Sequence, residues 1–451
     1  VTRAIDEREW AGLGKQTTDL LSALLRIDTT NDNETEAAQL LQRYLQSSGI
    51  ESRLIGELPR RQNLVARLRG ARPGPTLLLL GHTDVVPAEP EEWSVPPFSG
   101  LVKDGWVWGR GALDMKNQVA AQAVAVARLA TRRGDLAGDI LYVATCDEEN
   151  GEHCGARWLV ENEPDLVRCD YLLNEGGGEY SAVDGALIYP LTLGEKAFAQ
   201  FRIRVRGQGG HGSVPLHDKN AVERLARIVT ALADHRPDVV MSPLTRDYID
   251  VLVADEDLRA RLKDTEEARA AIAGMLAVDD PRAYAIEPLL GVTFSPTVVH
   301  AGTEAVNVIP SHAEVDIDCR ILPEQRPEDV EREVRRALAD FYGWEFEWVD
   351  VTVGNDSPMD TPLTESVERV LTRSVPSARL VGLHLCGFTD SRWFREAFPE
   401  VVAYGFCPFV DEDTDTMGDR CHGADERISI HDLAYQACFF ERLALDLLGR
   451  S

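Results

Sequence analysis

The sequence predicts an α/β fold: a mixed, mostly parallel sheet flanked by helices, interrupted by an inserted ferredoxin-like α+β module. Three observations predict it. Short continuous apolar runs alternate with helical patterns in the first part of the chain, which implies parallel strands covered on both faces. Near Gly194 the texture changes to strands that alternate apolar and polar residues, ordered β-α-β-β-α-β with helical pieces between. From about Pro358 the first texture resumes, so the module is an insertion and the parts are 1–193, 194–355 and 356–451.

The elements follow in order. Residues 8–25 and 34–49 carry helical periodicity, with Gly49 as a stop. Asn63 to Arg69 alternates like a strand, and Thr76 to Gly81 is a continuous apolar run. Gln118 to Arg132 is an alanine-rich helix. Asp139 to Thr145 and Tyr171 to Asn174 are two more buried strands. In the inserted part, 196–207 is a strand with one wet face and 220–235 an amphipathic helix. A charged stretch, 241–290, holds helical segments without a site-like motif. Strands "TFSPTVVHAG" and "AEVDIDCRIL", helix "PEDVEREVRRALADFYG" and strand "EFEWVDVTV" complete the module. "VVAYGFCPF", 401–409, is a further covered strand.

Composition narrows the function classes. The chain has 451 residues, enough for two or three domains. Its net charge of −28 argues against nucleic acid or an anionic membrane as partner. No apolar run approaches the ~20 residues needed to span a bilayer. The opening "VTRAIDEREWAGLGKQ" lacks the apolar core of a signal peptide. The 8 cysteines form no C-x-x-C pair, and a chain this long needs no disulfide staples, so they are expected to be mostly reduced, buried and cytoplasmic.

Three buried strands end in acids. Leu77–Gly81 runs into His82 and Asp84, Asp139–Thr145 into Asp147, Glu148 and Glu149, and Tyr171–Asn174 into Glu175. In an open parallel sheet the carboxyl ends of the strands line the ligand crevice. Several like charges gathered there are prohibitive unless a cation neutralises them. Glu148 and Glu149, as neighbours, can share a pocket only on a turn past the strand end, which Asn150-Gly151 supplies. One would bind metal and the other handle a proton. Asp114, in "WGRGALDMKN", could bridge two metals with its two oxygens, and mixed oxygen and nitrogen ligation suits a hydrolytic divalent ion. Taken singly each has an ordinary explanation: a core histidine, an N-cap aspartate, a solvated loop. Their recurrence at successive strand ends points to a site.

With these residues in place, the stretches "GHTDVVP", "WGRGALDMK", "DEENGE", "GQGGHGSVP", "VNVIP" and "HGADERISI" resemble the co-catalytic zinc hydrolases that include aminoacylase, acetylornithine deacetylase, succinyl-diaminopimelate desuccinylase and glutamate carboxypeptidase. The resemblance implies a zinc-exopeptidase-like catalytic domain with the insertion as lid and dimerisation domain. It implies two divalent ions, zinc first, with cobalt or manganese as alternatives. Asp114 would bridge them, His82 and Glu175 would complete one site, and Glu149 and His422 the other. His422 is preferred over its rival His431, which begins the last helix. Glu148 would be the general base and acid, and Asp84 would orient His82. The peptide after Asp114 would be cis. His211 would stabilise the oxyanion, usually in the partner subunit of a homodimer. Asn307, Arg320 and Thr389 would bind a small-molecule substrate's carboxylate and carbonyl, with a structural ion pair as the alternative for Arg320. The expected reaction is amide hydrolysis of N-acyl amino acids. A metallo-dipeptidase or carboxypeptidase is the alternative. An inactive two-lobed binding protein is another, disfavoured because it need not keep Glu148, and a single-domain aminopeptidase would lack the insertion.

Overall fold

A computed structural model describes residues 7–449 apart from 31, 152, 303 and 304. The start of the opening segment read against a signal peptide, residues 1–6, lies outside the described residues. The chain divides into two compact units. One holds the described residues up to Gly194 together with Ser357–Leu383 and those from Thr389 onward; the other holds Glu195–Asp356 and His384–Phe388.

The first unit is built on a 9-stranded sheet. Its strands run in the order Glu51–Leu58, Arg61–Leu68, Ala137–Thr145, Arg72–His82, Tyr171–Asn174, Val402–Gly405, Ala186–Glu195 and Ala378–Leu385, with Ser181–Val183 beside Ala186–Glu195. The central strands are parallel, as the continuous apolar runs predict. Arg72–His82 pairs in parallel with Ala137–Thr145 on one side and Tyr171–Asn174 on the other. Leu77 to Leu80 are therefore wholly buried. Leu78 and Leu80 point into a cluster with Leu141, Val143, Leu172, Phe394 and Phe398. Each such side chain contributes roughly 1.5–3 kcal/mol on burial.

The other face is covered by the alanine-rich helix, Lys116–Leu129, in which only Arg128 is not buried. A helix buried on all sides belongs in a core, and its alanines and valines suit that place. Gln122 Nε2 donates to the Leu80 carbonyl at 3.1 Å and Tyr142 to the Val119 carbonyl at 3.1 Å, which pairs those two donors, while Gln122 Oε1 is buried without a hydrogen-bond partner. Sequence periodicity misses the strand Glu51–Leu58, an antiparallel edge strand exposed along much of its length. It also misses Ala186–Glu195 and Ala378–Leu385, whose apolar residues alternate over only part of each strand.

The second unit contains an antiparallel four-stranded sheet, ordered Thr293–Ala301, His312–Ile321, Ala197–Arg206 and Trp344–Val351. The helices Ala221–Asp234 and Pro327–Ala337 supply the β-α-β-β-α-β order of a ferredoxin-like module. Alternation along Ala197–Arg206 places Phe201, Ile203 and Val205 in a core with Leu225, Ile228, Val315 and Ile317. Asn220 caps the first helix by accepting from the Val222 amide at 3.0 Å. Four short α-helices lie between Pro243 and Ile286, where the sequence shows helical segments in a charged stretch.

Candidate metal centre

Strand register delivers the first candidate ligand. His82 ends its strand beside Thr145, the last residue of the neighbouring strand. The His82 ring is buried. Its Nε2 lies 3.1 Å from Asp114 Oδ1 and 3.6 Å from Glu175 Oε2. On the far side, Nδ1 faces the Asp84 carbonyl at 3.0 Å and the Asp84 carboxylate at 3.5 Å. Asp84 has a second task that sequence reasoning did not reach. Its carboxylate accepts the Glu148 amide at 3.1 Å and the Glu149 amide at 2.9 Å, so it holds the turn that carries both acids. That turn closes at Gly151, whose φ is 66°.

Asp114 sits at the centre. Its Oδ1 faces His82, and its Oδ2 lies 3.1 Å from His422 Nε2. His422 Nε2 is also 3.2 Å from Glu149 Oε1. His422 adopts a φ of 60°, a left-handed conformation that costs a non-glycine residue about 1–3 kcal/mol and clusters at functional sites. His431 lies apart from this group, 2.7 Å from Asp411 at the start of the last helix. Asp114 is not an N-cap: Met115 holds that position, without a side-chain cap. The Asp114–Met115 peptide is cis.

The Asp114 loop is shaped from beneath. Gly111 has a φ of 89°, and a Cβ there would fall 2.8 Å from Val85 Cγ1. Glu426, fully buried, accepts from the amides of Gly111, Leu113 and Asp114 at 3.0, 2.6 and 3.1 Å, and from Arg110 Nη1 at 2.7 Å. Asp147 does not join the other acids. It turns to Arg61 at 3.1 Å and accepts the Cys154 amide at 2.8 Å, while Arg61 also meets Glu34 at 3.3 Å. The buried Lys116 ammonium donates to the carbonyls of Leu24 and Ile27 at 3.3 and 2.9 Å. Glu426 and Lys116 stand inside or beside the motifs quoted above. Charge in an otherwise buried stretch was the available signal for both.

The electrostatics call for cations. Burial, then the Glu175 carboxylate, pushes Glu148 well above the ordinary glutamate value. Burial raises Glu175 to about 7 despite His82, and raises Asp390 to about 8 despite the hydrogen bond from Thr145. Burial pulls the His82 imidazole down, but Glu175, Asp114 and Asp84 outweigh it and hold the ring well above its usual value. Asp114 and Glu149 raise His422 to about 10. Glu175 Oε1 is buried without a hydrogen-bond partner. Among the described residues, three groups could offer donors to a metal: His82, Asp114 and Glu175; His82, Glu148 and Glu149; and Asp114, Cys421 and His422. Oxygen and nitrogen donors around a shared carboxylate fit a pair of divalent ions.

The remaining sequence-predicted residues fall as follows. His211 and Asn307 are brought together on a small ribbon, where His211 pairs with Val308 and the Gly212 amide donates to the Asn307 carbonyl at 2.8 Å. His211 is exposed, and its Nδ1 lies 2.8 Å from Ser213 Oγ. Arg320 forks onto Asp318 through Nε and Nη2 at 2.8 and 3.2 Å and stacks on Phe198 at 4.1 Å, which is the structural ion pair foreseen as its alternative. Its Nη1 is buried without a partner. Thr389 is buried in the first unit, where its hydroxyl accepts the Ser391 amide at 3.2 Å.

Residues 78–446 match the description Peptidase family M20/M25/M40. The chain belongs to this family. This M20 chain is 25% identical over 442 residues to the succinyl-diaminopimelate desuccinylase of Hydrogenovibrio crunogenus, covering 96% of this chain and 99% of that protein. It is 30% identical over 386 residues to the N-fatty-acyl-amino acid synthase/hydrolase PM20D1 of Xenopus tropicalis, covering 81% and 71%. It shares the fold of the Bacillus subtilis YXEP protein, described as a dinuclear metal binding peptidase from the M20 family, with a TM-score of 0.61, 16% identity and coverage of 97% and 98%. The M20 chain is a metal-dependent amide hydrolase.

Proposed function

We propose that this M20 enzyme hydrolyses the amide bond of N-acyl amino acids with two divalent cations, zinc first and cobalt or manganese as substitutes. The observation that carries the reading is the two-sided use of Asp114, one oxygen 3.1 Å from His82 and the other 3.1 Å from His422. Each imidazole has a second acid beside it, Glu175 at 3.6 Å and Glu149 at 3.2 Å. His82, Glu175 and Asp114 would hold one cation; Glu149 and His422, with Asp114, would hold the other. Such a pair supplies Lewis acidity, polarising a carbonyl and raising the acidity of water at neutral pH.

The chain's own residues do the rest. Glu148 receives the proton of the attacking water and passes it to the leaving nitrogen. Asp84 fixes the His82 ring and the turn bearing Glu148. His211 stabilises the oxyanion in the partner subunit of a homodimer. Asn307, Arg320 and Thr389 bind the substrate's carboxylate and carbonyl. The unpartnered Arg320 Nη1 supports this for Arg320, and the motif resemblance supports it for the others. The open edge of Thr293–Ala301, with Val298 and Val299 exposed, supports a homodimer. Eight free cysteines support a cytoplasmic setting. Among the described residues, no helix is long and apolar enough to cross a membrane.

The test is a panel in which zinc-loaded enzyme meets N-acyl amino acids and dipeptides, with Glu148→Gln as control. Higher kcat/KM on the acyl substrates, with turnover in Glu148→Gln reduced by roughly 10²–10⁴ and zinc retained, is the expected result. Preference for dipeptides would replace the substrate assignment. Full turnover in Glu148→Gln would remove Glu148 from the proton transfer.

A further inference from the structure

Cys421 stands directly before His422, just past the short helical turn Gly418–Arg420. Its Sγ lies 3.5 Å from Asp114 Oδ2, the same oxygen that His422 Nε2 approaches at 3.1 Å. The donor atoms of Cys421, His422 and Asp114 all lie within 4.8 Å of one another.

These separations can be compared with those that one zinc ion imposes on its ligands. With Zn–S of about 2.3 Å, Zn–O and Zn–N of about 2.0 Å and a tetrahedral angle, sulfur and oxygen sit about 3.5 Å apart, and nitrogen and oxygen about 3.3 Å. The observed values are 3.5 Å for sulfur to oxygen and, for nitrogen to oxygen, 3.1 Å to Asp114 and 3.2 Å to Glu149. Cys421 is also set apart from the other cysteines. Six are buried and Cys386 is partly so, whereas Cys421 is exposed. A cysteine serving only as a small core residue would be expected inside.

We propose that Cys421 is a sulfur ligand at the metal position formed by Asp114, Glu149 and His422. The proposal rests on the two-cation reading above. On binding, the thiol gives its proton to solvent and a metal–sulfur bond forms, with no change of oxidation state. The two positions are then unequal. The position of His82, Glu175 and Asp114 offers only nitrogen and oxygen. The other gains a soft donor, which favours zinc or cadmium there over manganese. Cys421 also occupies a coordination place that a three-ligand site leaves to water or substrate. Chemistry at that position would proceed with one open place fewer.

Cobalt(II) is the probe, titrated into the full metal-free chain and into Cys421→Ser and Cys421→Ala. The expected wild-type spectrum has a sulfur-to-cobalt charge-transfer band in the near ultraviolet, absent from both variants, while the visible ligand-field bands persist in all three. Zinc affinity at one of the two positions should fall at least about tenfold in Cys421→Ala, the loss that even an outer partner of a ligand causes. A second measurement uses the wild type alone. Zinc should slow alkylation of Cys421 by iodoacetamide at least about tenfold, because a metal-held thiolate is no longer the free nucleophile. Ligand-field bands without the charge-transfer band, or unslowed alkylation, would overturn the sulfur ligand and leave the two-cation reading standing. Failure of the wild type to bind cobalt or zinc at all would overturn both.

Discussion

Glu426→Gln tests how the Asp114 loop is held. In the wild type, Glu426 Oε1 accepts from the Leu113 and Asp114 amides, and Oε2 from the Gly111 amide and Arg110. Four donors share two oxygens. Glutamine keeps one oxygen and turns N–H groups toward the other pair of donors, whichever way it is oriented. Each buried donor left unpaired costs about 1–3 kcal/mol, so two cost about 2–6 kcal/mol. If the stranded pair includes Arg110, itself buried, breaking that ion pair costs about 3–5 kcal/mol, within the same range. The variant should therefore lose roughly 3–5 kcal/mol in the unfolding transition of the first unit. Because the Asp114 amide is among the four donors, zinc affinity should also fall by about 10–100-fold. Guanidinium unfolding of the metal-free chain measures the first effect, and competition with a chromophoric chelator the second. Asp19→Asn serves as control, since it removes only the exposed Lys15–Asp19 pair, where about 0.5 kcal/mol or less is expected. The reasoning is refuted if Glu426→Gln stays within about 1 kcal/mol of wild type and binds zinc equally well.

Metal uptake should release protons. Asp114 and Glu149 hold His422 protonated up to about pH 10 in the metal-free chain, and the acids around His82 act on it in the same direction. A cation needs both imidazoles neutral, so zinc binding at pH 7.5 should expel at least one proton and strengthen as pH rises toward about 10. Calorimetry in buffers of different ionisation enthalpy reads this directly, and a heat independent of buffer would contradict it. Arg61→Met should destabilise the first unit by about 3–5 kcal/mol, because Glu34 and Asp147 are left buried without their cation. Adding Glu34→Gln should recover part of that loss, and denaturant unfolding would show no recovery if the ion pair is not its cause. Val299→Lys on the open strand edge should shift a homodimer toward monomer in light scattering, without changing the far-ultraviolet circular dichroism. A dimer unchanged by that substitution would place the contact elsewhere.

Local pattern accounts for much that the sequence determined alone. Leu77 to Leu80 form a continuous apolar run because parallel neighbours and helices cover both faces of that strand. Register then carries His82 to the strand end beside Thr145, and a turn past the next strand end places Glu148 next to Glu149. These effects act over a few residues, so periodicity, strand ends and turn glycines made them legible. The alternation of the inserted module was legible for the same reason, and its strand order followed.

Tertiary structure alone decided which charged residues belong inside. Glu426 reaches the Leu113 amide across 313 positions of sequence, and Arg61 meets Asp147 across 86. Nothing local distinguishes such residues from solvated ones, because a charge becomes tolerable in a core only when its partner arrives from elsewhere in the chain. Asp147 shows the consequence. Its neighbours Glu148 and Glu149 stay with the site, while Arg61 draws Asp147 away from it. Which acids gathered at the sheet edge face a cation, and which serve as struts beneath, depends on the distant donors that folding places beside them.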